Sequence, residues 1–348
     1  MAAENLGGIS SALATTFSAR LRRVWNRVAV TAATLQMESA VGQGGGKHIG
    51  WDVEFSGAAA SNFAEGSDIQ ASEFNVDPIV PAVLPFGMYR SAFQLSNLEI
   101  KAASANVANA AELGRVVLER LDGSLTKMAS KANQDFWAGT GVDGSGNPTI
   151  IGFPMALDPN APYAGINKNT FPEWAGNVLA NGGVGRALTF DLLYQADQVI
   201  YTASGKTAKV IICSPDVYRK YADLFETIKR VFVGPNGEVP AFSGGERELS
   251  WKGMPVLRDK DMAAGTLGML NTDDIRIRPL AGMANQDGVA VQTRQLPSSN
   301  GEEYATTPLF VDVYPLARTG SAQKFVAEMY LQLQVQRTNS HCYIKDIS

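Results

Sequence analysis

Residues 112–141 read ELGRVVLERLDGSLTKMASKANQDFWAGTG, and this stretch decides the fold. Its apolar residues recur every three or four positions, which is the spacing of an amphipathic helix. This apolar stripe consists of Leu113, Val117, Leu121, Leu125, Met128, Ala132 and Phe136. Charged side chains from Glu112 to Lys131 supply the other faces, and the pattern stops at Trp137-Ala138-Gly139. The sequence therefore predicts one long helix of about 40 Å, at 1.5 Å per residue.

Upstream of this helix, the sequence predicts an extended two-stranded loop over 47–86. In its first half, Ile49, Trp51, Val53 and Phe55 alternate with small or polar residues, which is the period of a half-exposed strand. The return passage carries Pro78, Pro81 and Pro85, and proline cannot donate to a central sheet ladder. A two-stranded ribbon is marginally stable alone in water. We therefore expect it to lie against something, and a neighbouring subunit is the simplest candidate.

The N-terminal residues predict an amphipathic helix over 11–28, followed by a flexible hinge at Gly42-Gln43-Gly44-Gly45-Gly46. The helix docks either on its own domain or on a neighbour. Its composition also resembles an organellar transit peptide, but no cleavage signature follows. Arg20, Arg23 and Arg27 form a basic stripe that suits phosphates, a membrane surface or the acidic Glu65 and Asp68 of a neighbour. We favour the pairing with protein carboxylates.

Downstream of the long helix, three regions differ in pattern. Residues 138–185 are rich in Gly, Pro and Asn, which predicts an irregular functional or interface loop. Residues 188–290 alternate helical and strand patterns, with helices that open at Thr189-Phe190-Asp191 and at Ser214-Pro215-Asp216. This alternation indicates a segment with its own α/β core. Long alternating strands follow around 309–314 and 326–336.

The composition excludes several function classes. The 348 residues carry a net charge of −4, which argues against tight, sequence-independent binding of nucleic acid. The sequence contains no run of about 18 apolar residues, so it predicts no membrane span. Two cysteines, Cys213 and Cys342, do not support a disulfide framework. The two histidines, His48 and His341, lack the spacing of metal ligands or catalytic partners, so we interpret them as solvated or satisfied structural residues.

Two motifs have competing interpretations. Gly139–Gly144 matches the spaced glycines of a dinucleotide fingerprint. However, a helix is predicted before this segment, and Pro148 follows it closely. The fingerprint requires a preceding strand and a following helix N-terminus, so a simple loop is favoured. Four carboxylates suggest a cation site, but they fall in turns, where solvated aspartates are common. These are Asp259, Asp261, Asp273 and Asp274. The sequence thus predicts no catalytic, cofactor-binding or metal-binding residue.

The order of these parts resembles the major capsid proteins of tailed bacteriophages, which have the Hong Kong 97-type coat fold shared with encapsulins. Several stretches carry the resemblance: Phe63-Ala64-Glu65-Gly66, Phe93-Gln94-Leu95-Ser96, Phe136-Trp137-Ala138-Gly139-Thr140-Gly141, Ile151-Gly152-Phe153 and Gly253-Met254-Pro255-Val256. The resemblance implies an α+β fold in five parts. They are an N-terminal arm (1–46), an extended loop (47–86), a peripheral domain with the spine helix (87–185), an axial α/β domain (186–290) and returning peripheral strands (291–348).

The resemblance also implies a function. It indicates a non-enzymatic subunit that assembles with itself into hexamers and pentamers of an icosahedral shell around double-stranded DNA. We expect a location in the virion, assembly in the bacterial host cytoplasm, a portal and a separate scaffolding protein, and no cofactor or membrane. The predicted assembly contacts are Arg20, Arg23, Arg27, Trp51, Phe55, Glu65 and Asp68. The alternatives are an encapsulin-type compartment and a nucleotide-binding enzyme that uses the Gly139–Gly144 loop.

Overall fold

The computed structural model describes residues 46–55, 79–104, 127–229, 249–280, 312–316 and 321–348, together with Thr31, Asn62, Glu65, Arg120, Gly123 and Ser124. The strands, in chain order, are β1 His48–Glu54, β2 Ile79–Pro85, β3 Gly87–Ser96, β4 Thr140–Val142, β5 Pro148–Ile151, β6 Asn177–Leu179, β7 Val210–Cys213, β8 Ser250–Trp251, β9 Met254–Arg258, β10 Leu267–Leu270, β11 Ile275–Pro279, β12 Asp312–Pro315, β13 Ala322–Val335 and β14 Cys342–Ile344. The helices are α1 Asn97–Ser104, α2 over 127–138, α3 Phe153–Leu157, α4 Phe190–Ser204 and α5 Pro215–Lys229. The predicted helix over 11–28 and its hinge up to Gly45 lie outside the described residues.

The extended loop is a two-stranded antiparallel ribbon, as the alternation predicted. Strand β1 pairs with β2 from His48 opposite Pro85 to Glu54 opposite Ile79. One face of β2 is buried, with Ala82 and Leu84 both 0% exposed. This face packs on the main core of the same chain. The inner face of the ribbon thus lies against its own subunit, and its contact with a neighbouring subunit stays a prediction.

Strand β13 organises a four-stranded antiparallel sheet. Strand β3 pairs along one edge of β13, and β12 and β11 follow each other along the opposite edge. Both faces of the end of β13 are buried, so the alternating glutamines Gln332 and Gln334 lie inside, at 0% and 1% exposure. Gln332 donates to the carbonyl of Pro85 at 2.7 Å and accepts the amide of Ile151 at 3.0 Å, which satisfies its buried amide.

A second sheet is mixed and has six strands, in the order β6-β14-β10-β7-β9-β8. Strands β7 and β9 are parallel and joined through α5, as a βαβ connection requires. Thr189 caps α4 by accepting the amide of Leu192 at 3.2 Å, so α4 begins where the sequence predicted. Alternate residues of β7 face opposite sides. Ile211 and Cys213 pack under α4 and α5, while Val210 and Ile212 join the main core.

Two strands cross the predicted division between 186–290 and 291–348. Strand β11 pairs with β13 in the four-stranded sheet, and β14 pairs with β10 and β6 in the six-stranded sheet. Each of the two parts thus contributes a strand to the sheet of the other. The five-part division stays a prediction, and these pairings show that the two parts are tied together through both sheets.

Helix α2 confirms the end of the predicted long helix. Met128, Ala132 and Phe136 of the apolar stripe are 4%, 0% and 0% exposed, and the helix stops at residue 138. The hairpin of β4 and β5 then folds back across the helix terminus. The amide of Gly139 donates to the carbonyl of Asp135, and the amide of Gly152 donates to Gly139. The helix C-terminus is therefore closed by backbone groups rather than left to water.

The passage over 138–185 is irregular over most of its length, as its composition predicted, but much of it is buried in the core. It contains β4, β5, α3 and β6, and its apolar side chains form a large part of the core. Those fully or almost fully buried include Ile150, Phe153, Leu157, Tyr163 and Trp174. The glycines here permit close packing, since a Cβ on Gly176 would lie 2.6 Å from the Cα of Leu157. A composition typical of surface loops instead serves close contact between backbones.

Candidate functional site

The predicted assembly contacts are only partly within the described residues. Trp51 and Phe55 are half-buried on the inner side of the ribbon and pack against the main core. The Phe55 ring stacks on Phe171 with centroids 4.3 Å apart and meets Trp174 edge-on at 5.8 Å. Glu65 is exposed in a turn. Arg20, Arg23, Arg27 and Asp68 lie outside the described residues. The structure therefore describes only three of the seven residues, and the contact of all seven with a neighbour stays a prediction.

The outer face of the ribbon combines an apolar column with an acidic one. On β2, Ile79 and Val83 are 65% and 43% exposed. On β1, Asp52 and Glu54 are exposed, and Glu54 stands directly opposite Ile79. The amide of Val83 donates to the carbonyl of Ala164 at 2.9 Å, which fixes β2 on its own subunit. The ribbon thus presents an apolar surface with an acidic border from a rigid base.

A buried polar cluster connects three distant parts of the chain; we call Thr31, Asn133, Trp137, Asp259 and Asp261 the Asp259 cluster. Asp259 is 1% exposed. Nδ2 of Asn133 lies 3.0 Å from both carboxylate oxygens of Asp259 and 2.7 Å from Oδ2 of Asp261. Nε1 of Trp137 lies 2.9 Å from Oγ1 of Thr31 and 3.2 Å from Oδ2 of Asp259, and the Thr31 hydroxyl donates to the same oxygen. The cluster therefore fixes Thr31 to the end of α2 and to the loop after β9.

The interpretation of the turn aspartates as solvated is wrong for Asp259 and Asp274. Both occupy turns, as predicted, but Asp274 is only 5% exposed and accepts from Nζ of Lys206 at 2.7 Å. Burial alone raises the pKa of Asp274. The hydrogen bonds from Lys206 and Ser340, together with the positive charge of Lys206, outweigh burial and lower the pKa below its usual value. Asp273, in contrast, is exposed and pairs with Lys209. Among the described residues, no group of side chains forms a metal site.

His341 is a satisfied structural histidine, as the sequence analysis expected. It is 0% exposed, and its Nδ1 accepts the amide of Asn271 at 3.0 Å. Nε2 lies 3.3 Å from the Ser340 hydroxyl. Burial is the main cause that lowers the pKa of His341 to about 4. The charges of Lys206 and Arg337 act in the same direction, and Asp274 opposes them. The imidazole is therefore neutral at physiological pH and serves the interior of the fold.

The buried His341 predicts a loss of stability in acid. In the unfolded chain its pKa is near 6.5, against about 4 in the folded chain, so the unfolded state takes up a proton first as the pH falls. The stability contributed by the neutral ring is complete above pH 6.5 and is lost progressively toward pH 4. Between pH 7 and pH 5 the expected loss is about 2 kcal/mol.

The measurement is urea unfolding of the unassembled subunit at pH 7 and pH 5, with His341→Gln as the matched variant. Glutamine offers an acceptor to the Asn271 amide but does not titrate in this range. The variant should lose about 2 kcal/mol less than the wild type between the two pH values. Equal pH dependence of the two proteins would show that His341 is not the titrating group.

The Gly139–Gly144 segment consists mostly of β4 and the start of the turn that joins β4 to β5, so the predicted loop is in part a strand. It follows helix α2 and leads into β5, so it does not open a helix as a dinucleotide fingerprint does. Asp143 shapes the turn by accepting the amides of Ser145 and Asn147, each at 2.8 Å. A dinucleotide site needs a helix N-terminus at this point to hold the pyrophosphate, and the hairpin provides none.

Within the described part of the chain, no helix is long and apolar enough to cross a membrane.

The Asp259 cluster could not be predicted from the sequence because its partners lie far apart along the chain. Thr31 and Asp259 are separated by 228 positions, and Asn133 and Asp259 by 126. No local spacing reports such a contact. The one available signal was the indole of Trp137 at the predicted end of a helix, since a buried Trp N–H usually finds a hydrogen-bond partner.

The chain resembles capsid proteins in sequence and in fold. The sequence profile of the family described as SU10 major capsid protein matches residues 93–348, which is most of the chain. A comparison with curated proteins finds no match. The structure of the chain is similar to the capsid asymmetric unit of cyanophage A-1(L), with a TM-score of 0.68 and 20% identity. The match covers 92% of this chain and 93% of that chain.

Two further structures have the same fold at lower similarity. The capsid of a native GTA particle gives a TM-score of 0.52 and 12% identity, over 92% of this chain and 91% of that chain. The SrpI encapsulin of Synechococcus elongatus PCC 7942 gives a TM-score of 0.50 and 9% identity, over 91% of this chain and 86% of that chain. The predicted α+β phage capsid fold is thereby confirmed.

Proposed function

Because the chain belongs to the SU10 major capsid protein family, we propose that it assembles with copies of itself into a closed icosahedral shell of hexamers and pentamers. The observation that carries the proposal is the family match over residues 93–348. The fold shared with the cyanophage A-1(L) capsid supports it. In this proposal the chain is a structural component of a tailed-phage virion without catalytic activity, and the shell assembles in the cytoplasm of the bacterial host.

The proposed contents and partners follow from charge and from the shell role. The shell encloses double-stranded DNA without sequence-specific contacts, and a net charge of −4 suits a lining that does not retain the DNA. A portal and a separate scaffolding protein complete the assembly. The five parts 1–46, 47–86, 87–185, 186–290 and 291–348 act as arm, extended loop, peripheral domain, axial domain and returning strands. Arm and loop contact neighbouring subunits through Arg20, Arg23, Arg27, Trp51, Phe55, Glu65 and Asp68.

Electron microscopy of the purified protein, with and without a scaffolding protein, tests this function. Closed shells are the expected result. A monodisperse monomer under all assembly conditions would contradict the proposal. Shells that copurify with a cellular enzyme instead of DNA would favour an encapsulin-type compartment, which the likeness to the SrpI encapsulin keeps as the second candidate.

Deleting residues 1–30 should separate assembly from folding. Thr31 and its contacts in the Asp259 cluster remain in this variant, so the free energy of unfolding of the subunit should change by less than about 0.5 kcal/mol. Closed shells should be absent, because the arginine stripe that we assign to neighbours is removed. The measurements are urea unfolding and negative-stain microscopy under conditions in which the wild type assembles. Normal shells from the truncated chain would exclude the contact role of the arm.

A further inference from the structure

Helix α4 presents a tyrosine-bearing stripe with a single exposed charge to solvent, which we call the Tyr194 face. The exposed residues of the helix are Asp191, Tyr194, Gln195, Gln198, Tyr201, Thr202 and Ala203. Tyr194 is 52% exposed and Tyr201 is 62% exposed. The helix contains no lysine or arginine, and its only acids are Asp191 and Asp197. A solvated helix face normally carries many charges, whereas tyrosine with few charges is typical of the centre of a protein interface.

Part of this face is held in a fixed conformation. Nζ of Lys252 lies 4.3 Å from the centroid of the Tyr194 ring and 2.8 Å from Oδ2 of Asp197. The Tyr194 ring also meets Trp251 edge-on, with centroids 5.3 Å apart. An aromatic side chain that is ordered before binding loses less entropy when a partner covers it. Beside Tyr201, a shallow depression of about 290 Å³ is lined by Gln198, Val199, Thr202 and Ala203.

Helix α5 lies on the same side of the six-stranded sheet. Val217 and Tyr221 of α5 share a core with Leu193 and Ala196 of α4, so the two helices form one layer. Where its burial is described, the exposed surface of α5 carries the basic Arg219 and, one turn on, Asp223. A guanidinium stacks favourably on tyrosine rings and pairs with carboxylates. The Tyr194 face offers the Tyr201 ring and Asp191, while Lys252 already lies over the Tyr194 ring.

We propose that the Tyr194 face binds the Arg219 side of α5 in a second copy of this chain. The inference rests on the proposed function, because it takes the partner to be the adjacent subunit of the shell. Each copy then uses α4 on one flank and α5 on the other, which is a heterologous contact. Such a contact forms a ring when the rotation between copies closes, as the hexamers and pentamers of the proposed function require.

Mixed cross-linking tests this contact. Two single variants, Tyr201→Cys and Arg219→Cys, are purified separately, co-assembled, and treated with a short bismaleimide. The native Cys213 and Cys342 are both 0% exposed, so they should not react and the wild type serves as the blank. Covalent dimers should form in the mixture and be absent from shells of either variant alone, since the contact joins two different faces of two copies.

A second measurement, the critical subunit concentration for shell formation, shows whether substitutions at Tyr201 weaken assembly. The critical subunit concentration for shell formation should rise about tenfold for Tyr201→Ala and stay unchanged for Tyr201→Phe, which keeps the ring. Unfolding of both subunits should match the wild type.

Three results would overturn the inference. Shells without the mixed cross-link and with an unchanged critical concentration would overturn it and leave the proposed function intact. Cross-linked dimers from Tyr201→Cys alone would indicate that α4 of one copy faces α4 of another. An assembly defect of Tyr201→Ala that is seen only with an added scaffolding protein would assign the Tyr194 face to that protein. Failure of the wild type to form any shell would instead remove the proposed function.

Discussion

Replacing Asp259 with alanine should lower the free energy of unfolding of the subunit by about 4 kcal/mol, because it removes a buried carboxylate that several donors share. The Thr31 hydroxyl loses its acceptor, while the Asn133 amide keeps Asp261 and the Trp137 indole keeps the Thr31 oxygen. The backbone amide of Asp261 also donates to Asp259, at 3.0 Å. Each buried donor without an acceptor costs about 1–3 kcal/mol, and water entering the small void recovers part of that.

Two variants make this expectation specific. Asp259→Asn preserves the volume but turns one oxygen into a donor, so it should lose about half as much stability as the alanine variant. Asp273→Ala removes an exposed carboxylate that pairs with Lys209, and it should cost less than about 1 kcal/mol. Urea unfolding of the unassembled subunits measures all three. A loss below about 1 kcal/mol for Asp259→Ala would mean that the cluster does not hold the fold together.

The cluster also predicts where the arm leaves the subunit. Hydrogen exchange around residue 31 should accelerate in Asp259→Ala under conditions in which the subunit remains folded, because Thr31 loses its buried acceptor. Thr31→Val keeps the shape and removes the hydroxyl, so it should show the same local effect with a smaller loss of stability. Unchanged exchange at residue 31 in both variants would contradict the anchoring.

Local patterns were sufficient to predict most elements of this fold. The alternation in 47–55, the helical stripe that ends at Trp137 and the capped start of α4 at Thr189 each depend on residues within a few turns or strand repeats. The two-stranded loop, α4, α5 and the long C-terminal strand were all found from such patterns. The order of these elements was then specific enough to indicate the capsid fold.

What the sequence did not reveal depends on long-range contacts. The exchange of β11 and β14 between the two sheets has no local signal, since β11 is only a short alternating stretch and β14 a short apolar run. The buried state of Asp259 depends on partners more than a hundred positions away. The burial of the passage over 138–185 was not predicted, because its glycines and prolines indicate turns, while its apolar residues follow no period.

Replacing Gly139 with alanine is expected to cost at least about 3 kcal/mol, at the upper end of what overpacking costs in a protein interior. A Cβ at this position would lie 2.1 Å from the carbonyl oxygen of Ile150 and 2.5 Å from that of Asp135. Both neighbours are backbone atoms, so no side-chain rotation relieves the overlap. The hairpin and the terminus of α2 would have to separate, which breaks the bond from the Gly152 amide to Gly139.

The control for this variant is Gly144→Ala in the same hairpin. A Cβ on Gly144 would meet nothing within 4 Å, so this substitution should change the free energy of unfolding by less than about 0.5 kcal/mol. Urea unfolding of both variants measures the difference. Nearly equal stabilities would mean that the chain tolerates a wider gap at the end of α2. A large difference would show that the first glycine of the Gly139–Gly144 segment serves helix packing, which explains its presence without a bound nucleotide.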